Sequence, residues 1–404
     1  IALLVAIGAV TEHDESLTEL GKHLAKLPVS PRLGKMLVVA CVFGCVDPAL
    51  TVAAAQATRN PFVLPLDKKS AADSSRREFA KGTCSDHVAI ANAFGEWQAT
   101  RQNNGYGASR GFCKRRFLSF EAMERIEKTR MQLRGLLENA GFAVARSSEY
   151  ENNNSGFDTD LFRAVVCAGL FPKIASIKKK GRRNELTTHE DGGVECHPNS
   201  VNSVFGVDFP HGWLVYGEKI KTQKVFVRDC TCVPTCSVLL LGGPLDVVQR
   251  QKMGLGSNDS TATSSSMDIS EEDKTTVSIL HGAYRFDASS STIALILSLK
   301  DKIDTMLRRK AIDPGFCLRT NAGPGVIHAV KTLMAGEESD GVCTRDAFFY
   351  DSRKKIGGGG DSQKTIGGYS PTQIRPLDWP CLNGCGAVFA SKEACFRCGG
   401  GKPR

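Results

Sequence analysis

The chain has 404 residues, 41% of them hydrophobic, and a chain of this length predicts roughly two to four structural units. Its 52 Lys and Arg residues exceed its 43 Asp and Glu residues, and the formal charge of +9 favours polyanionic partners without indicating a fold. No apolar run reaches the roughly 18–20 residues that a membrane helix requires, and most of the 15 cysteines are scattered on apolar segments. We therefore expect a soluble, intracellular protein with no membrane partner.

Residues 1–97 carry a helical pattern. Four leucines recur at helical spacing: Leu17, Leu20, Leu24 and Leu27. Residues 35–44 predict a compact apolar helix that ends near Pro48. The chain opens inside an apolar run with no helix-start signal before it, so we expect it to be part of a longer protein.

Helical signals continue to about residue 141. Residues 103–107, with the sequence NNGYG, predict a loop because Asn and Gly favour turns. Residues 117–141 form a long, charged amphipathic pattern that ends at a Gly suited to a helix C-cap. A helical bundle is therefore expected for this part of the chain.

The composition changes after Tyr150, where the polar run NNNSG indicates a linker. The segment that follows is rich in short β patterns separated by Gly, Pro and Asn, as expected for a small barrel. Three segments predict strands of this barrel: residues 212–216, 224–227 and 237–241.

The remainder of the chain alternates between sparse and structured segments. Residues 254–276 are rich in Ser, Thr and Asp and predict a disordered insertion. Residues 280–312 predict a strand and a helix at 291–309, whose apolar side holds Ile293, Ile296, Leu297 and Leu307. Residues 313–376, which include four consecutive glycines at 357–360, predict a flexible linker.

Residues 377–404 carry the strongest chemical signal. Two close thiol pairs, Cys381 with Cys385 and Cys395 with Cys398, are separated by nine residues. Four thiolates can hold one tetrahedral zinc ion, and a segment this short has no core to fold around without metal. We therefore expect one Zn²⁺ on these four cysteines; the alternative is free or disulfide-bonded thiols on a tail.

This segment resembles the Ran-binding-protein-type zinc finger, with Trp379 before the first Cys, Phe389-Ala390 in the middle and Arg397 inside the last pair. Some members of that family bind single-stranded RNA, and others bind ubiquitin or Ran. The resemblance implies that Trp379 and Arg397 contact RNA bases. The spacing between the two Cys pairs is one residue shorter than usual, and the Asn that RNA-binding members carry before the Phe is missing here. A protein partner for the finger therefore stays open.

A second group of cysteines follows Arg228-Asp229: Cys230, Cys232 and Cys236. Cys230 and Cys232 lie on the same face of a predicted strand, and only the distant Cys196-His197 could complete a metal site with them. We favour packed strand thiols over a second metal site.

Several motifs, in the same order, resemble the helicase-associated region of DEAH/RHA-type RNA helicases. They are LPVSPRLGKML at 27–37, FGCVDP at 43–48, NPFVLP at 60–65, SDH at 85–87, WLVYGEKIKT at 213–222 and VRDCT at 227–231. The resemblance implies the end of a winged helix over 1–27, a helical ratchet-like domain over 28–148 and an OB-fold over 157–247. The expected fold class is multidomain α+β: a helical bundle, a small OB-type β-barrel, flexible linkers and a small zinc finger.

Two basic segments of the predicted barrel are candidates for RNA contact. The first is a predicted loop that holds Lys178, Lys179, Lys180, Arg182 and Arg183, and OB barrels bind single strands with such loops. The alternative is a solvated charge run that touches nothing specific. The second segment holds Lys219, Lys221 and Thr222, where the resembling family places its OB-fold near RNA.

The sequence contains no G-x-x-x-x-G-K-[ST] loop and no Asp-Glu-x-His box, so it predicts no ATPase motor in this chain. The resemblance implies a partnership with RecA-like domains upstream that bind ATP and Mg²⁺. The expected function is the RNA-binding accessory part of an ATP-dependent 3′-to-5′ RNA helicase. The alternative is a non-enzymatic adaptor whose zinc finger recruits ubiquitin or another protein.

Overall fold

The computed structural model describes residues 1–142, 157–181, 183–204, 206–248, 274–316 and 323–339, with the backbone of 379–380 and 387–388. The chain divides into two compact units, Ile1–Arg353 and Lys354–Arg404. In the described residues, no helix is both long and apolar enough to span a membrane.

Four helices open the first unit: α1 (Ala2–Ala6), α2 (Glu19–Leu24), α3 (Pro31–Phe43) and α4 (Val46–Ala57). Gly44 ends α3 in the left-handed conformation, with a φ of 73° that glycine adopts at little cost. The predicted apolar helix is therefore confirmed. Pro48 does not end it, however, because Pro48 lies in the first turn of α4, where its missing N–H has no helical partner.

The next helices are α5 (Lys69–Ala80), α6 (Asp86–Arg115) and α7 (Phe120–Asn139). The prediction of a loop at 103–107 is wrong, because these residues continue α6. The helix bends at Gly105, whose φ of 83° and ψ of 179° are not helical, so the glycine produces a kink instead of a loop. The long helix predicted at 117–141 is confirmed as α7, and Gly141 follows it with a positive φ of 86°.

The helix α8 (Thr159–Leu170) lies at the centre of the first unit. Every residue from Leu161 to Leu170 is buried, as expected for a helix that is packed on all sides. It packs against α3 on the helical side and against two strands of the barrel on the other. α8 therefore joins the helical bundle and the barrel through one continuous core.

Five strands form the barrel: β1 (Ile174–Lys180), β2 (Arg183–Thr187), β3 (Glu195–Cys196), β4 (Trp213–Lys221) and β5 (Val225–Val233). Their order is β2-β1-β4-β5-β3, and a bridge between Leu186 and Val194 connects the two edges of this sheet. The sheet is thus nearly closed around its own small core of buried residues. The predicted α+β class, a helical bundle followed by a small barrel, is confirmed for the described residues.

Residues 237–241 were predicted to form a strand, and this prediction is wrong. They belong to a short helix, α9 (Thr235–Leu241), which follows Pro234 and packs against α8. A short apolar run buried on all sides has no periodicity that separates strand from helix. Cys230 and Cys232, in contrast, are fully buried on β5, in agreement with packed strand thiols.

A three-stranded sheet and two helices complete the first unit: β6 (Asp246–Val248), β7 (Lys274–Ile279), β8 (Tyr284–Ser289), α10 (Ser290–Ile312) and α11 (Gly323–Ser339). The helix predicted at 291–309 is confirmed as α10. The prediction of a flexible linker is wrong for α11, which buries Val326, Val330 and Met334. The predicted insertion at 254–276 lies outside the described residues, except its last three, which begin β7.

In the second unit, β9 (Trp379–Pro380) pairs antiparallel with β10 (Ala387–Val388). The four predicted zinc ligands, Cys381, Cys385, Cys395 and Cys398, lie outside the described residues, as does Arg397. Among the residues that the structure describes, no group of three or more His, Cys, Asp or Glu side chains is arranged to hold a metal ion.

Candidate nucleic-acid interface

The predicted basic loop forms the tip of the hairpin between β1 and β2. β1 begins in the barrel core, with Ile174, Ala175 and Ser176 buried, and emerges into solvent at Lys178. Gly181 makes the turn with a φ of 63°, and Arg183 begins β2 opposite Lys180. Arg182 lies outside the described residues. Because strand pairing fixes the backbone, the exposed lysines are held on a rigid projection, which we call the basic hairpin (residues 178–183).

Two lysines of the basic hairpin have acidic neighbours. Lys179 Nζ lies 3.2 Å from Asp208 Oδ1, and Lys180 Nζ lies 3.9 Å from Glu185 Oε2. All four side chains are about half exposed or more, and exposed ion pairs of this kind contribute little stability. A phosphate backbone can therefore displace these carboxylates at small cost.

The second basic segment lies at the hairpin between β4 and β5, and here the lysine Lys219 is differently placed. Its Nζ contacts Glu190 and lies 2.6 Å from Asp191 Oδ2. Partial burial lowers the pKa of Lys219, but its hydrogen bonds to Asp191 and Glu190 outweigh this and raise the pKa overall. We call this arrangement the acidic clasp (Glu190 and Asp191 around Lys219). Lys219 is thus partly neutralised within the chain.

Thr222 and Lys221 have different roles in the same hairpin. Thr222 forms the turn, because its N–H and its Oγ1 both donate to the carbonyl of Lys224, at 2.8 and 3.1 Å. Lys221 is exposed and has no ion pair within the described residues. Lys221 is therefore the cation of this segment that is open to a phosphate.

The structure does not bring the two basic segments together. β1 and β4 are antiparallel, with Ile174 opposite Val215 and Ser176 opposite Trp213. Lys179 follows the paired part of β1 by three residues and Lys219 follows that of β4 by four, so the two antiparallel strands carry these lysines past opposite ends of the pairing. The segments therefore lie on one barrel but at opposite ends of the pairing between β1 and β4.

The SDH motif at 85–87 fixes the barrel to the helical bundle. Ser85 Oγ and His87 Nδ1 each lie 2.7 Å from Thr231 Oγ1 on β5. Asp86 accepts hydrogen bonds from Ser200 Oγ and from the N–H groups of Val201 and Cys230, at 2.7–2.8 Å. The motif therefore positions the barrel as a platform. Sequence analysis noted its residues but could not assign this contact, since the partners lie more than a hundred residues away.

His87 and Asp229 at this junction have unusual acidities. Burial lowers the pKa of His87 to about 3, so its imidazole is neutral, hydrogen-bonded to Thr231 on one side and to Gln56 on the other. Burial, and secondarily the nearby Asp86, raise the pKa of Asp229 to about 6. His87 on α6 and Asp229 on β5 thus both lie where the helical bundle meets the barrel.

Three consecutive segments match families of helicase accessory domains. Residues 1–29 match the helicase associated domain (HA2), winged-helix; residues 30–90 match the helicase associated domain (HA2), ratchet-like; and residues 162–245 match the oligonucleotide/oligosaccharide-binding (OB)-fold. The chain therefore carries the winged-helix, ratchet-like and OB-fold components of a helicase accessory region.

The chain is similar to several DExH/DHX helicases. It is 37% identical to the DExH-box ATP-dependent RNA helicase DExH1 of Arabidopsis thaliana, over 84% of this chain and 31% of the relative. It is 38% identical to the ATP-dependent DNA/RNA helicase DHX36 of Homo sapiens, over 60% of this chain and 24% of the relative. It is 31% identical to the ATP-dependent RNA helicase DHX29 of Homo sapiens, over 83% of this chain and 23% of the relative. The chain thus spans less than a third of the length of these relatives.

Proposed function

We propose that this chain is the RNA-binding accessory part of an ATP-dependent, 3′-to-5′ RNA helicase. The observation that carries the proposal is the basic hairpin, an exposed cationic projection on an OB-type barrel that the SDH motif fixes to the helical bundle. OB barrels hold single strands by tracking the backbone with positive charge. The barrel would hold the strand while domains outside this chain bind ATP and Mg²⁺ and hydrolyse the nucleotide.

Rigid attachment of the barrel matters for this role. A helicase accessory domain transmits force only if the strand it holds cannot move freely relative to the rest of the protein. Asp86, Ser85 and His87 supply such an attachment, because their hydrogen bonds are buried and connect directly to β5. The junction therefore supports a holding function more than a flexible recruiting function.

The test is the salt dependence of single-stranded RNA binding by the 404-residue chain. Each phosphate contact on a single strand contributes about 0.7 to the slope of log affinity against log salt. Replacing Lys178, Lys179, Lys180, Arg182 and Arg183 by Gln should weaken binding to all sequences and reduce the slope by roughly 1.5–2, the value for two or three contacts.

The matched control removes five exposed lysines from the helical bundle: Lys22, Lys26, Lys68, Lys69 and Lys81, each replaced by Gln. It changes net charge equally and should leave the slope nearly unchanged. An equal effect of both variants would mean that net charge, and not the basic hairpin, governs binding. Absence of RNA binding by the unmodified chain would favour an adaptor, in which the zinc finger recruits a protein partner.

A further inference from the structure

The last third of α6 presents a line of three exposed side chains that the proposed function does not use. Tyr106, Arg110 and Lys114 follow one another at intervals of four residues, which places them on one helix face. We call them the α6 stripe. Tyr106 is 53% exposed, and Arg110 and Lys114 are also exposed. The kink at Gly105 directly precedes the stripe, so all three residues belong to one helical segment.

Tyr106 is held in place although much of its surface is open. Its ring lies 5.1 Å from that of Phe120, at 82°, and the guanidinium of Arg101 lies over it at 5.6 Å. Arg101 is itself fixed by Glu127, with Nη1 at 2.9 Å from Oε2. An aromatic ring that is already ordered loses little freedom when a flat ligand stacks on it.

An open pocket of about 500 Å³ adjoins the stripe, and Arg110 and Lys114 line it. Gly107 and Gly111, one turn apart, add no side chain of their own to the α6 side of this pocket. Ser119 and Glu121, at the start of α7, line the opposite side, and Ser119 Oγ donates to Glu121 Oε2 at 3.1 Å. The pocket thus holds two cations and one carboxylate, and that carboxylate already has a hydrogen-bond partner.

The segment that carries the stripe is rich in basic residues, although several of them have acidic partners, among them Arg101 with Glu127 and Arg116 with Glu78. Residues 101–134 contain nine Lys and Arg against three Glu and no Asp, whereas residues 157–248 of the barrel region contain eleven cations against ten acids. In the described part of the chain, neither Arg110 nor Lys114 has a carboxylate within 4 Å, unlike Lys179 and Lys219 on the barrel. Arg110 lies over the Phe120 ring, 6.0 Å from its centroid, and the pKa of Glu121 is lowered by hydrogen bonds from its own backbone and from Ser119, and also by the charge of Arg110. An open surface whose cations lack carboxylate ion pairs attracts a polyanion.

We propose that the α6 stripe is a second RNA-binding surface, in which a base stacks on Tyr106 and backbone phosphates bind Arg110 and Lys114. RNA fits better than an acidic peptide, because a nucleotide brings an anion and a flat ring together, as the stripe presents them. This inference rests on the proposal that the chain binds RNA, but it does not depend on the basic hairpin. The stripe also lies outside the three segments that match families, 1–29, 30–90 and 162–245.

Two variants of the full chain test the stripe separately. Arg110→Gln with Lys114→Gln should reduce the salt slope for a long, unstructured RNA by about 1.4, the value for two phosphate contacts. Tyr106→Ala should weaken binding roughly fivefold or more, the lower range for one stacked base, with an unchanged slope. Lys68→Gln with Lys69→Gln removes two exposed charges from α5 and its preceding turn and should change neither quantity.

The outcomes separate this inference from the proposed function. If the basic hairpin variant reduces the slope but both stripe variants bind like the unmodified chain, the second surface is refuted and the proposed function stands. If the stripe variants lose affinity while the hairpin variant does not, the barrel assignment fails and the stripe is supported. Ultraviolet crosslinking to the same RNA should also label the peptide that contains Tyr106, and labelling confined to the barrel would overturn the inference.

Discussion

The carboxylate of Asp86 on α6 accepts a hydrogen bond from the backbone N–H of Cys230 on β5, at 2.8 Å. Its other two partners, Ser200 and Val201, also belong to the barrel region. Burial raises the pKa of Asp86, whereas these three hydrogen bonds act to lower it. The carboxylate therefore depends on the barrel for its hydrogen bonds, and the barrel depends on it for its position.

Replacing Asp86 by Ala should destabilise the first unit by about 3 kcal/mol or more. The change leaves the N–H groups of Val201 and Cys230 buried without an acceptor, and each such group costs roughly 1–3 kcal/mol. Urea unfolding measures the loss. Asp67→Ala, at an exposed position, should stay within about 0.5 kcal/mol of the unmodified chain. Equal stability of the two variants would show that the junction contributes nothing to the fold.

His87 should make the chain less stable in acid. Its pKa of about 3 in the folded chain lies below the unfolded value of 6.5, so the unfolded chain binds the extra proton between these values. The stability that the neutral imidazole provides is therefore complete above pH 6.5 and is lost as pH falls. Between pH 7 and pH 5 this loss amounts to about 2 kcal/mol.

Asp229 should act in the opposite direction. Its folded pKa of about 6 lies above the unfolded value of 3.8, so protonation favours the folded chain, and this contribution is lost as pH rises through 6. His87→Gln should therefore flatten or reverse the acid loss between pH 7 and pH 5, and Asp229→Asn should steepen it. Urea unfolding at both pH values measures the difference, and parallel curves for the two variants would contradict the assignment.

Opening the acidic clasp should strengthen RNA binding if Lys219 reaches RNA. Glu190→Gln with Asp191→Asn removes both carboxylates that neutralise the Lys219 ammonium. The affinity should rise, and the salt slope should increase by up to about 0.7, the value for one new phosphate contact. Glu12→Gln with Glu15→Gln removes two exposed carboxylates elsewhere and serves as the control. An identical response of both variants would mean that Lys219 has only an internal role.

One zinc ion per chain is expected on Cys381, Cys385, Cys395 and Cys398. Because metal binding supplies most of the folding free energy of so short a module, Cys395→Ala with Cys398→Ala should abolish zinc binding. Elemental analysis of the purified chain measures the stoichiometry. Cys84→Ala with Cys196→Ala removes two thiols of the first unit and should leave the zinc content unchanged. A stoichiometry near one in the finger variant would place the metal elsewhere.

Local patterns predicted many of the helices correctly, because helical periodicity and capping depend on residues that are close together in the sequence. The same reasoning missed α11, where glycines at 323, 325 and 336 resemble a linker composition. A usable signal was present: Val326, Val330 and Met334 recur every four residues, and all three are buried. The NNGYG run predicted a loop, so the four-residue spacing of Tyr106, Arg110 and Lys114 along α6 was not recognised as one helix face.

Long-range relations could not be predicted in this way. The contact between Asp86 and Cys230 joins residues 144 positions apart, and no local pattern specifies it. The two basic segments were identified from the sequence, but their separation depends on the register of β1 against β4. Glu190 and Asp191 reach Lys219 from the loop between β2 and β3, and no local sequence pattern predicts the path of that loop. In the sequence, Lys219 therefore could not be distinguished from an unpaired lysine.

Helix α6 contacts the barrel at its first turn and carries the stripe in its last third, about 21 residues or roughly 30 Å further along. The two proposed RNA contacts, on the barrel and on the stripe, would together act as a bivalent receptor. Once the barrel has bound a strand, the local concentration of that strand at the stripe governs the second contact. Affinity should therefore rise abruptly at a minimum RNA length, and the bend at Gly105 helps to set that length by directing the stripe.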